Sequence, residues 1–214
     1  ALIGVINILY GGLAALVRKD MKKLVAYSSI NHMGYVILAL AANSVMTINA
    51  AVFQMISHGL ISAMLFLLVG VFYDRTHTRE MARLGGLAVI TPVAATFLYL
   101  AAFANLGLPG MSGFIAEFFT ITGVVAFDWM RVFVYLAAIG LVITAAFNLV
   151  LLQKVLLGAA KKEWEGLPDI TARELWTIVP LAVLTILFGL YPSLLMDLFH
   201  GPVTELVALM GGMQ

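Results

Sequence analysis

Apolar runs of about twenty residues recur from one end of this sequence to the other, and that recurrence restricts the fold more than any other feature. A helix of that length covers the roughly 30 Å of hydrocarbon in a bilayer. Six such segments can be marked: Ala1–Val17, Leu24–Ala42, Ile48–Phe72, Ile90–Phe127, Val132–Leu157 and Leu175–Leu190. Short polar stretches separate them, as in Arg18–Lys23, Asn43–Thr47 and Asp74–Arg83. Composition agrees: 63% of residues are hydrophobic and 11% charged, against roughly 45–50% and about 25% in ordinary soluble domains. With a mean hydropathy of +1.05, one soluble core cannot hide so much apolar surface. The expected fold is an all-α integral membrane protein, a single membrane domain over 1–214 with about six transmembrane helices.

The fourth segment is anomalous. Run as one helix, Ile90–Phe127 would be roughly 57 Å long at 1.5 Å per residue, far more than one crossing requires. The stretch Asn105-Leu-Gly-Leu-Pro-Gly-Met-Ser-Gly113 supplies an interruption, because Pro109 removes an amide donor while Gly107, Gly110 and Gly113 relax the backbone. The half-helices on either side, Ile90–Ala104 and Phe114–Phe127, are each too short to span alone, so one discontinuous crossing is expected.

Charge placement tests that choice. With a single crossing there, Arg18, Lys19, Lys22, Lys23, Arg75, Arg79, Arg83, Lys154, Lys161, Lys162 and Arg173 share one side, and only Arg131 lies opposite. Two crossings would move Lys154, Lys161, Lys162 and Arg173 across and erase most of the bias. The positive-inside rule therefore favours six crossings with the basic loops cytoplasmic. Thr171 and Glu174 have capping-box spacing, which marks the start of the last helix.

Net charge is +1, which suggests neither nucleic acid nor an acidic partner. The absence of cysteine excludes disulfides, thiolate metal sites, thiolate-held iron–sulfur clusters and a cysteine nucleophile. No Walker lysine, dinucleotide glycine fingerprint or His-Glu-x-x-His pair occurs. The sequence begins at Ala1 and enters an apolar helix without a basic leader or a small-residue cleavage site, so it is expected to be part of a longer chain.

An ionisable group near the bilayer centre costs about +2.5 kcal/mol or more, so such residues are functional candidates by default. His32, His58 and Glu117 each lie roughly ten residues, or about 15 Å, from a segment end, which puts all three near mid-depth. Glu117 follows the break by four residues and is expected close to the unpaired amides at the start of the second half-helix, where it either titrates or serves as a structural cap. Unwound midplane segments of transporters hold ion sites of this kind. His32 and His58 have small polar neighbours, Ser28, Ser29 and Asn31 for one and Gln54 and Ser57 for the other. Their ordinary pKa suits proton exchange, although a neutral packing histidine fits as well; two of them with a carboxylate in consecutive crossings favour a relay. Lys22 and Lys23 lie at the cytoplasmic mouth of the second helix, where lysines also snorkel. Thr144 and Asn148 extend a polar stripe inward from Lys154. His77 and His200 fall in connections without a specific signal.

The runs Lys19-Asp-Met-Lys-Lys-Leu-Val-Ala-Tyr-Ser-Ser-Ile-Asn-His-Met-Gly-Tyr35, Ser57-His-Gly-Leu60, Tyr73-Asp-Arg-Thr-His-Thr-Arg-Glu-Met81, Leu84-Gly-Gly86 and Gly107-Leu-Pro-Gly-Met-Ser-Gly-Phe-Ile-Ala-Glu-Phe118 resemble the antiporter-like membrane subunits of respiratory complex I. The Tyr73–Met81 stretch, and a glutamate after the break where sister subunits usually carry lysine, favour the M type. The resemblance covers essentially the whole chain. It implies fourteen helices with two inverted five-helix repeats, of which the last six are present here. It also implies a proton path through Lys22, His58, His32 and Glu117, driven by quinone reduction elsewhere in the complex.

No cofactor is expected in this chain; flavin, iron–sulfur clusters and quinone belong to partner subunits in that family. The implied partners are the L-type and N-type antiporter-like subunits, in a bacterial inner membrane. The paired glutamate and lysine of the first repeat have no counterpart in these residues, so a complete path from the cytoplasm is not expected here. An Mrp-type Na+/H+ antiporter subunit or the membrane arm of a group 4 hydrogenase is the alternative that shares this fold.

Overall fold

A computed structural model of the chain describes residues 1–211. Nine α-helices are found among them: α1 (Leu2–Leu16), α2 (Met21–Ala42), α3 (Val45–Thr76), the single turn α4 (Leu87–Ile90), α5 (Pro92–Leu106), α6 (Ser112–Val125), α7 (Arg131–Val155), α8 (Ala172–Leu190) and α9 (Ser193–Leu209). Helices α2, α3, α7 with its lead-in turn, and α8 are each long and apolar enough to span a membrane. Helix α1 is a shorter apolar helix, and α5 and α6 complete one crossing together across the break at Gly107–Met111.

Helix ends follow local chemistry. Asp20 caps α2 by accepting the Lys23 amide at 3.0 Å, and Asn43 closes the helix in the left-handed region at φ 48°. Ser44 and Thr47 form a reciprocal capping box that opens α3, and the expected Thr171–Glu174 box opens α8. Helix α5 begins with Pro92 at its first position, where a missing amide hydrogen does no harm. Its next two amides, Val93 and Ala94, donate to the Asp169 carboxylate at 2.8 and 3.0 Å. This cap comes from 75 residues away in sequence, so no local pattern announces it.

Contact between α1 and α2 is made by backbone. A Cβ at Gly4 would lie 2.8 Å from the Gly34 carbonyl oxygen, and one at Gly11 would lie 2.6 Å from the Asn31 amide nitrogen. Membrane helices approach this closely where small residues leave room for dispersion contacts, since lipid supplies no hydrophobic drive between helices. Two apolar cores then form. One gathers Met21, Leu24, Leu65, Leu68, Phe72, Leu98, Leu151 and Val155 towards the basic end; the other gathers Val5, Ile8, Tyr35, Leu38, Val124 and Val134 towards the opposite end. Along α2 and α7 the polar residues Asn31, His32 and Thr144 fall between them.

At the basic end Arg75 ties three elements. Its guanidinium donates two parallel hydrogen bonds to Glu174, at 3.0 and 2.7 Å, and others to the carbonyls of Pro168 and Asp169 at 2.8 and 3.0 Å.

The structure departs from the sequence expectation after Leu190. Helix α9 was not anticipated because Asp197, Glu205 and the Gly201-Pro202 pair interrupt its apolar character. It lies against α3 through Val203, Val207 and Ile48. His200 is therefore helical and within hydrogen-bond distance of Asn49, its Nδ1 lying 3.0 Å from Asn49 Nδ2, and not part of a connection.

Candidate functional site

Three helices bring His32, His58 and Glu117 to one place. Glu117 Oε1 lies 3.2 Å from His32 Nδ1, and the two imidazole rings are centred 5.1 Å apart with a 34° tilt. All three are buried, at 3%, 8% and 5% exposure in residue order. A carboxyl and an imidazole 3.2 Å apart are at the edge of the range for direct proton exchange. The oxygen and nitrogen are not aligned into a hydrogen bond, because Glu117 Oε1 has no partner, and His32 Nε2 has none either.

The position of Glu117 within its helix corrects one expectation. Helix α6 starts at Ser112 and carries no acidic residue in its first turn, so Glu117 stands in the second turn, beyond the unpaired amides. Its environment comes instead from the break and from α2. Gly107 is left-handed at φ +81°, and a Cβ there would lie 2.7 Å from Glu117 Oε2. Glycine is thus required at this point both by the backbone angle and by the carboxylate pressed against it. Next to the histidines, Ser57 of α3 donates to Ser112 Oγ at 2.7 Å and joins α3 to the first residue of α6. A cavity of about 440 Å³, lined by Gly107, Phe114, Phe118, Leu141 and Val142, reaches Glu117 from the α7 side.

Beside the trio runs a buried hydrogen-bonded file. Asn31 donates to the Ile8 carbonyl at 2.6 Å and its oxygen is 3.0 Å from Thr144 Oγ1. Asn148 donates to the Thr144 carbonyl at 2.9 Å and accepts from Asn105 Nδ2 at 3.1 Å. The file links α1, α2, α7 and the last turn of α5. The spacing of Thr144 and Asn148 was the sequence signal for it; Asn31 and Asn105 were legible only as neighbours of a histidine and of the break.

Lys22 is not brought to this cluster. It is exposed at the start of α2, in a cleft shared with Tyr73 and Arg79, ten residues and so about 15 Å along the helix from His32. Among the described residues no group of three or more His, Cys, Asp or Glu has metal-site geometry.

A model of the NADH:quinone oxidoreductase/Mrp antiporter transmembrane family matches residues 1–144. NADH-quinone oxidoreductase subunit M of Rickettsia bellii is 44% identical over 206 residues, covering 96% of this chain and 41% of the relative. The chain thus spans about two fifths of the length of the curated relatives it matches. Among solved structures, a chain of respiratory complex I from Thermus thermophilus with bound NADH superposes with a TM-score of 0.89 at 30% identity, over 98% of this chain and 44% of that one. A chain of the Mrp complex from Dietzia sp. shares the fold, with a TM-score of 0.86 at 21% identity, over 96% of this chain and 47% of that one. Sequence, helix order and the broken crossing agree, and the chain belongs to the NADH:quinone oxidoreductase/Mrp antiporter transmembrane family.

Proposed function

We propose that this chain is the distal part of an M-type, proton-translocating membrane-arm subunit of an NADH:quinone oxidoreductase. The observation that carries this reading is the buried His32–Glu117 pair with His58 beside it. Each of these groups is expensive to hold at membrane depth, and together they make a set of proton donors and acceptors. Protons move among His58, His32 and Glu117, with Lys22 at the basic end of the route. The driving reaction, quinone reduction, takes place in other subunits, which carry the flavin, iron–sulfur clusters and quinone; this chain performs no electron transfer. Its partners are the L-type and N-type antiporter-like subunits in a bacterial inner membrane, with the basic loops cytoplasmic.

Glu117→Gln in the assembled complex tests the reading. It keeps size and hydrogen-bonding capacity but cannot release a proton. The expected result is a several-fold fall in protons pumped per quinone reduced, at normal assembly; unchanged pumping would overturn the proposal and leave the chain a scaffold. The Mrp-type reading shares the fold and the family. Sodium-dependent transport that persists without quinone turnover would favour it.

A further inference from the structure

The hydrogen-bonded file beside the site has a direction, and the direction ends at His32. It starts from groups that can only accept: the Thr144 backbone carbonyl receives Asn148 Nδ2 at 2.9 Å. Asn148 therefore presents its oxygen to Asn105, whose Nδ2 donates at 3.1 Å. With its amino group committed, Asn105 turns its own oxygen inward. That oxygen is buried without a partner, as is His32 Nε2, and the two side chains are neighbours. Asparagine and histidine orientations follow from their networks, and here the network is anchored by a carbonyl that cannot reverse its role.

We propose that Asn105 is a positioning residue that holds the proton of His32 on Nε2, so that Nδ1 is the nitrogen that exchanges protons with Glu117. Resting on the proton-path reading above, this specifies the step. A proton on the Glu117 carboxyl leaves Oε1 as the O–H bond breaks, and a new N–H bond forms at His32 Nδ1. Carboxylate and imidazolium result, with Nε2–H still directed at Asn105 Oδ1. The reverse transfer returns the proton to Glu117 and restores the neutral ring with the same nitrogen protonated. His32 then needs no ring flip between turnovers, and the His32–Glu117 pair stores one proton as a unit. An unpaired buried acceptor such as Asn105 Oδ1 costs about 1–3 kcal/mol, which the Nε2–H contact offsets.

The test uses the full-length subunit in the assembled complex, reconstituted in vesicles. Asn105→Leu removes the acceptor at similar volume, Asn105→Asp retains an oxygen there, and Asn148→Leu leaves the acceptor but frees the amide to rotate. Protons pumped per quinone reduced should fall about tenfold in Asn105→Leu, less in Asn148→Leu, and recover in Asn105→Asp. Infrared spectra of complex labelled with ring-15N histidine report the tautomer directly. The wild type should show a His32 band of the Nε2–H form, assigned by its loss in His32→Ala, and Asn148→Leu should mix in the Nδ1–H form. If Glu117→Gln abolishes pumping while the Asn105 and Asn148 variants pump normally, or if the wild-type band is Nδ1–H, this assignment is wrong and the path survives. If Glu117→Gln pumps normally, the path itself fails. Should Asn105→Leu not assemble, the Asn148→Leu and Asn105→Asp spectra decide the matter.

Discussion

At the scale of single residues, the site depends on what is missing from Gly107 as much as on what Glu117 supplies. An alanine there must adopt φ +81° and place a Cβ 2.7 Å from Glu117 Oε2. The left-handed backbone costs about 1–2 kcal/mol, and the carboxylate has to retreat from His32. Gly110, also left-handed at φ +94°, would meet only Leu190 Cδ2 at 3.9 Å. The two substitutions separate backbone strain from displacement of the carboxylate. Gly107→Ala and Gly110→Ala should lower thermal stability by similar amounts, while only Gly107→Ala should reduce protons pumped per quinone by several-fold. Equal pumping in both would mean the Glu117 position tolerates movement.

At the scale of elements, most of the bundle could be read from length and charge. The broken crossing followed from a segment too long for one span and from the loss of charge bias that a second crossing would bring. The start of α8 followed from Thr171 and Glu174. What escaped was non-local. The cap of α5 depends on Asp169, far away in sequence, and α9 is too polar for a hydropathy criterion because it lies against α3 through a narrow apolar stripe. Arg75 was read as one loop charge among eleven, whereas the fold makes it a clamp between α3, the 168–169 connection and α8. Its side chain is 7% exposed, so Arg75→Ala leaves Glu174 without its partner. A loss of about 3 kcal/mol, the low end for breaking a buried pair, is expected, read as a drop in the unfolding temperature of the detergent-solubilised subunit.

At the scale of the whole molecule, the proposed orientation makes a topological prediction. The sequence contains no cysteine, so single replacements provide clean probes. Arg83→Cys should react with a membrane-impermeant maleimide only when the cytoplasmic face is exposed, as in inside-out vesicles. Arg131→Cys should react only from the opposite face. Labelling of both from one side would mean that α5 and α6 make two crossings, contrary to the charge distribution. The two apolar cores with polar residues between them also account for the limits of the sequence reading. Depth along each helix could be counted from its end, which placed His32, His58 and Glu117 at one level. Which faces of α2, α3 and α6 meet depends on contacts such as Gly4 on Gly34 and Gly11 on Asn31, which hydropathy does not register.

The Asp169 cap makes the first half-helix a lever. Helix α5 is fixed at its start by two amides held to one carboxylate, and by the Arg75 contacts to the same connection. Its other end is free of helical continuation at Gly107. Its 15 residues make an arm of about 22 Å, and a tilt of roughly 3° about the pivot moves the far end by about 1 Å. Asn105 rides on that end. A displacement of 1 Å is enough to break its contact with Asn148 or to bring its oxygen onto His32, so a push at the basic surface, with no charge crossing the bundle, is sufficient to change which proton the buried pair will keep.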